Sequence, residues 1–170
     1  ALANEAFVLP TRSFVKGDVD QAIESADHVV ETQLYVRGQE HFYLEGQISL
    51  ALPTEDGGVH VISSSQHPSE VQKLVASVLG INIHQVQSET RRMGGGFGGK
   101  ESQAAVLACT ASLFAIRNGR SVKYRLPRQD DMVQTGKRHD FWNRYRAGVT
   151  DQGVIVGVQM ELAGLCGCTA

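Results

Sequence analysis

The spacing of apolar positions changes several times along this chain, and each change marks an element. In residues 18–27, Val19, Ala22, Ile23 and Ala26 fall at helical spacing and predict a short amphipathic helix. Val29 to Val36 alternates loosely and predicts a strand. Residues 47–53 and 59–63 flank Asp56-Gly57-Gly58, a hairpin signal. Pro68 suits a first helical turn, and Val71, Leu74, Val75, Val78 and Leu79 trace one buried face up to a stop at Gly80. Residues 85–89 predict a short strand. Residues 101–117 are apolar on nearly every side, which predicts a buried helix ended by Asn118-Gly119. Residues 121–126 predict another strand, and 128–132 a polar connection. Residues 141–149 and 154–162 flank Asp151-Gln152-Gly153 and predict a second hairpin. Mixed strands and hairpins with two main helices place the chain in the α+β class, as one domain over residues 1–170.

Composition narrows the class without changing that picture. The chain has 170 residues, 42% hydrophobic and 20% charged, with a formal net charge of −2. These values fit a globular protein and argue against a disordered, membrane or nucleic-acid-coating chain. No apolar run approaches the ~20 residues of a membrane span. No secretory signal follows Ala1, and the lack of an initial Met suggests a fragment or a processed chain. Cys109, Cys166 and Cys168 are odd in number and irregularly spaced, which argues against a disulfide framework and makes a reducing cytoplasm the expected location. Cys166 and Cys168 make half a metal site at best, and on a strand they would simply share one face.

The chemistry concentrates in Met93-Gly94-Gly95-Gly96-Phe97-Gly98-Gly99-Lys100-Glu101. Gly94, Gly99 and Lys100 fit the phosphate-binding G-x-x-x-x-G-K, whose backbone N–H groups cradle an anion. The following position should be Ser or Thr to hold Mg²⁺, and here it is Glu101. Gly94, Gly96 and Gly99 also fit G-x-G-x-x-G, but the polar segment before the loop is unlike a buried parallel strand. The bland alternative is a glycine crossover that lets a helix pack tightly. Two residues favour function over it. Phe97 is one bulky side chain with bare backbone on either side. Glu101 is a carboxylate where the loop is expected to become a helix.

At these residues the chain resembles the xanthine dehydrogenase and aldehyde oxidase family. The glycine run looks like that family's molybdenum-site loop. Gly38-Gln39-Glu40-His41-Phe42-Tyr43-Leu44-Glu45 resembles a segment upstream of it, Ser64-Ser65-Gln66 its glutamine motif, and Thr135-Gly136-Lys137-Arg138-His139 a downstream segment. The resemblance runs from about Gly17 to the end, with the motifs in the family's order. It implies part of a molybdopterin-binding domain. Gln66 matches the glutamine whose amide bonds an oxygen ligand of molybdenum, so no residue here is a direct metal ligand. Phe97 and Gly98 match positions whose backbone lies against the molybdopterin. Glu101 matches a glutamate that contacts a purine, a position commonly not acidic in aldehyde-oxidising relatives.

The implied activity is oxidation of hypoxanthine or xanthine to urate, with water-derived oxygen inserted at an electron-poor carbon. Aldehydes or other N-heterocycles are the alternative substrates, and a variant phosphate-loop module is the alternative of another class. The resemblance also implies FAD and iron–sulfur clusters elsewhere in the parent enzyme. The implied partners are the purine and the remaining molybdenum, FAD and iron–sulfur subunits or domains, with neither nucleic acid nor membrane. The catalytic base, a substrate-binding arginine and the aromatic residues that sandwich the purine are expected downstream. The chain alone is therefore expected to be inactive, to bind molybdopterin weakly or not at all, and to self-associate through uncovered apolar surface.

The chemistry suits these residue types. An amide donates a hydrogen bond to a metal-bound oxygen without adding charge; a lone glutamine is otherwise a surface or capping residue. A carboxylate can grip a heterocycle's nitrogen and stabilise developing charge; at a helix start it is also favourable with the dipole. His41 and Glu45 are expected to be structural. Arg91 and Arg92 could meet an anionic cofactor tail or be ordinary surface arginines, and Lys137, Arg138 and His139 read as a solvated face.

Overall fold

The computed structural model describes residues 6–166, so Cys168 of the C-x-C pair lies outside them. The chain forms two compact units, one of residues up to Gln39 and from His139 onward, the other Glu40–Arg138.

The Glu40–Arg138 unit carries the glycine loop. Strands β2 (Ile48–Pro53) and β3 (Val59–Ser63) form the expected antiparallel hairpin around Asp56-Gly57-Gly58. Helix α2 (Pro68–Leu79) then crosses over, so that β4 (Val86–Glu89) returns parallel to β3. A second long helix, α3 (Ala104–Asn118), leads to β5 (Val122–Arg125), which closes the order β4-β3-β2-β5. Ala51, Val59, Val61 and Val86 from the sheet pack against Val71, Val75 and Ala76 of α2 and against Ala105, Ala108, Ala111 and Ala115 of α3. Four alanines on one stripe of α3 let its backbone come close to the sheet. Gly80, left-handed at φ 66°, ends α2 where the sequence puts the stop.

Four local expectations are corrected here. The second long helix begins at Ala104, not at residue 101, and residues 100–103 are turns and a bend. It is also not buried all round: Val106, Leu113 and Phe114 face outward, with Val106 64% exposed. On α2, Val78 is exposed and Ala76 takes its place in the core. The polar run 128–132 is not a connection but part of α4 (Arg128–Gln134). That helix is set by polar anchorage rather than an apolar stripe, for its one buried residue is Asp131.

In the other unit, α1 (Val19–Glu24) is capped by Asp18, whose side chain accepts from the Gln21 N–H at 3.0 Å. It packs on a three-stranded antiparallel sheet in the order β1-β6-β7, built from β1 (His28–Val36), β6 (Asp140–Val149) and β7 (Ile155–Leu165). Ile23 is wholly buried where α1 meets the sheet. Gly148 makes that contact possible: a Cβ there would lie 2.8 Å from the Ala26 Cβ and 2.9 Å from the Ile23 Cα. The face bearing Val30, Leu34, Val158, Met160 and Leu162 is left exposed.

Gly148→Ala is expected to push α1 off the sheet and destabilise this unit by about 1–3 kcal/mol, as overpacking does. Urea denaturation checks it as a lower midpoint at an unchanged m-value.

Candidate functional site

The glycine loop follows β4, and its backbone turns are unusual. Phe97 has φ 52°, and Gly95 and Gly98 both have φ 91°. Phe97 is not a glycine, so its left-handed backbone carries strain that the neighbours must hold. Its ring is 61% exposed.

Gln66 is one of the groups that hold it. It stands two residues before the first residue of α2, and its main-chain N–H donates to the Lys100 carbonyl at 2.8 Å. Its side-chain Oε1 accepts from the Gly98 N–H at 3.0 Å and from the Lys100 N–H at 3.1 Å. Two backbone donors fix which end of the amide faces the loop, because only the oxygen accepts. The Nε2 end is left to face away, and Gln66 is exposed. Gly96 has to be glycine for this: a Cβ would meet Gln66 Oε1 at 2.5 Å and Cδ at 2.7 Å.

Beneath the loop lies a polar cluster that the sequence does not announce. Lys100 is wholly buried, its Nζ 3.2 Å from Glu45 Oε2 and 2.8 Å from Ser64 Oγ. The same Oε2 accepts from Ser64 Oγ at 2.6 Å and from the Gly94 N–H at 2.9 Å. Burial works to raise the Glu45 carboxyl, but the bonds from Ser64, Gly94 and Lys100 outweigh it and hold it below the usual carboxylate range. Burial also lowers Lys100, against the pull of Glu45. The ammonium sits 4.7 Å from the centre of the Tyr43 ring. Tyr43 donates to Asp131 at 2.7 Å, and Gln47 Nε2 donates to the Tyr43 hydroxyl at 3.0 Å and to the Gly99 carbonyl at 2.8 Å. Asp131 thus joins α4 to the segment that cradles the loop.

The burial and pairing of Lys100 argue against the phosphate-loop reading. Lys100 is spent on Glu45, and the N–H groups of Gly94, Gly98 and Lys100 are taken by side chains, with that of Gly99 taken by the Gly96 carbonyl. Four of the loop's backbone donors are thus taken, and α3 begins four residues after Lys100. Arg91 pairs with Glu89 at 2.8 Å, and Lys137 pairs with Glu40 at 2.8 Å.

The structure therefore brings Gln66, Phe97 and Gly98 together in one assembly. Glu101 lies just beyond it, exposed in the bend before α3, with no hydrogen bond or ion pair among the described residues. The missed residues are Lys100, noticed only as part of the phosphate-loop alternative, and Tyr43, Gln47 and Asp131. Tyr43, Gln47 and Asp131 stand far from the loop in the sequence, so no local pattern joins them to it.

The model of a molybdopterin cofactor-binding domain matches residues 4–170. This chain belongs to the xanthine dehydrogenase and aldehyde oxidase family. Xanthine dehydrogenase of Calliphora vicina is 46% identical over 145 residues, 85% of this chain. Aldehyde oxidase 2 of Macaca fascicularis is 39% identical over 170 residues, 99% of this chain. The chain spans 11–13% of the length of these relatives. Among solved structures, the aldehyde oxidoreductase from Desulfovibrio gigas superposes with a TM-score of 0.70 at 26% identity, over 86% of this chain and 16% of that one. The family is one of molybdenum oxidoreductases, so the chain is part of an enzyme family. The α+β class expected from the sequence holds for both units.

Two outcomes follow. Gly96→Ala is expected to displace the Gln66 side chain, so that the Gly98 and Lys100 amides lose most of their protection in hydrogen exchange. Burial, and after it the bond to Asp131, pushes the Tyr43 phenol up to about 12. The folded value lies above the ordinary value of about 10, so the contribution is complete below that pH and is lost as pH rises towards 12. Denaturation midpoints should fall over that interval, and less steeply in Tyr43→Phe.

Proposed function

We propose that this chain presents the cofactor loop of a molybdenum hydroxylase whose substrate is a purine, hypoxanthine or xanthine taken to urate. The observation that carries the cofactor part is the divided amide of Gln66. The loop occupies its oxygen, which leaves the Nε2 hydrogens to donate to an oxygen ligand of molybdenum. The residues fit such a group: a neutral donor suits a metal-bound oxygen, and the exposed Phe97-Gly98 backbone offers a surface with one ring to the side. A Cβ at Gly98 would meet only His41 Nε2, at 3.9 Å, so that ledge is open. When bound, the cofactor supplies the two-electron oxidation and the transfer of a water-derived oxygen.

Every other contribution belongs to the chain's own groups. Gln66 orients the oxygen ligand through one hydrogen bond, and Phe97 and Gly98 bear on the molybdopterin. Glu101 holds the purine, as an acceptor for a ring N–H or, when protonated, as a donor to a ring nitrogen or carbonyl. Its carboxylate has no partner of its own in the described residues, which is what a substrate ligand requires. FAD and iron–sulfur clusters, a catalytic base and the further subunits or domains belong to the rest of the parent enzyme. Residues 1–170 alone are therefore inactive in this reading, and their exposed apolar faces favour self-association. No helix among the described residues is long and apolar enough to cross a membrane; the cytoplasm is the proposed location.

The second reading, an aldehyde-oxidising enzyme, is favoured by the likeness to aldehyde oxidase 2 over 99% of this chain. Glu101 separates the two. In the full-length enzyme, Glu101→Val should lower kcat/KM for xanthine by about 10- to 100-fold, the worth of one hydrogen bond to a charged group. Aldehyde oxidation should stay within about threefold. An enzyme that oxidises aldehydes but no purine, or that loses both activities equally, would overturn the purine assignment.

A further inference from the structure

Both ends of the glycine loop converge on one carboxylate oxygen. At the start, the Gly94 N–H donates to Glu45 Oε2 at 2.9 Å, while the Glu45 N–H donates to the Gly94 carbonyl at 3.2 Å. At the finish, Lys100 Nζ donates to the same Oε2 at 3.2 Å. Ser64 closes the triangle, donating to Oε2 at 2.6 Å and accepting from Lys100 Nζ at 2.8 Å. Residues 95–99 are thus a bridge whose two footings rest on a single ion pair.

Lys100 also faces the other way. Its main chain engages Gln66 twice, N–H to Oε1 at 3.1 Å and carbonyl from the Gln66 N–H at 2.8 Å. Ser65 Oγ adds a bond to that carbonyl at 3.3 Å. Ser64, Ser65 and Gln66 are consecutive, so a shift at the ion pair is transmitted to Gln66 along two short routes. One is the Lys100 backbone and the other the Ser64–Gln66 backbone. The pair is poorly placed to stabilise by charge alone, since burial penalises the ammonium. It is well placed to fix a geometry.

We propose that the Lys100–Glu45 ion pair is the positioning device for Gln66: it sets the loop against the Gln66 oxygen and thereby aims Nε2 at the molybdenum site. Lys100 and Glu45 are positioning residues and touch neither cofactor nor substrate. This rests on the reading above that Gln66 donates to an oxygen ligand of molybdenum. It goes further by assigning the control of that bond to two residues on the far side of the loop.

The test uses the full-length, molybdenum-loaded enzyme with Lys100→Met, Glu45→Gln and, as reference, Gln66→Ala. Glu45→Gln keeps an oxygen for the Gly94 N–H while removing the charge. The readouts are molybdenum content, the molybdenum EPR line shape of the reduced enzyme, and kcat and KM taken separately. Both ion-pair variants are expected to retain molybdenum within about twofold and KM within about threefold. They should lower kcat by about 10- to 100-fold, as misplacement of a reacting group by up to about 1 Å does. Their EPR line shape should move in the direction seen for Gln66→Ala. If Lys100→Met does not fold, Glu45→Gln alone decides. Lower melting temperature or lower molybdenum content with an unaltered line shape and kcat would show the pair to be structural only and overturn the proposal. A Gln66→Ala enzyme indistinguishable from the parent would instead remove the reading of Gln66, and the positioning role with it.

Discussion

A loop of glycines has no side chains with which to hold itself. Residues 94–99 contribute only Phe97, whose ring is exposed, so nearly all the bonds that fix this stretch come from elsewhere. Glu45 takes its first N–H, Gln66 the N–H of Gly98, and Gln47 donates to the carbonyl of Gly99. The segment 43–47, the turn before α2 and the helix α4 are all arranged around that need. The buried Asp131 makes sense in the same way. It receives the Tyr43 hydroxyl and the Gln47 N–H, and so stiffens the segment that stiffens the loop.

The elements that the sequence discloses are those whose side chains follow a period. The two hairpins and α2 with its glycine stop are legible because apolar positions repeat along them, whether or not the structure buries them. The elements that it hides are set by single long-range bonds. Helix α4 has no apolar stripe, and the pattern around Asp130 and Asp131 reads as a connection until Asp131 is seen buried. The start of α3 is hidden for another reason: residues 101–103 have helical company but are held in turns by the Lys100–Gln66 bonds just before them. Nor does the absence of a linker in the sequence reveal two compact units.

The candidate site divides in the same manner. Gln66, Phe97, Gly98 and Glu101 can be named from motif order, because each sits in a run of distinctive neighbours. The pairing of Lys100 with Glu45 cannot, since 55 positions separate them and each looks ordinary alone. Lys100 draws notice for a different reason, because a lysine after glycines suggests a phosphate ligand. Only its complete burial shows that its charge is directed under the loop rather than over it. The residue that departs from the phosphate-loop pattern, Glu101, makes no hydrogen bond or ion pair among the described residues.

In the role proposed for it, Gln66 keeps support and chemistry on separate atoms. The loop reads only its oxygen, and a ligand on the outer side can read only its hydrogens. An oxygen at the outer end would satisfy Gly98 and Lys100 from within yet repel any oxygen beyond it. A glutamate in this place would therefore be a faithful scaffold and a mute donor. In the proposed role, the identity of the position rests on two N–H groups that contribute nothing to holding the loop.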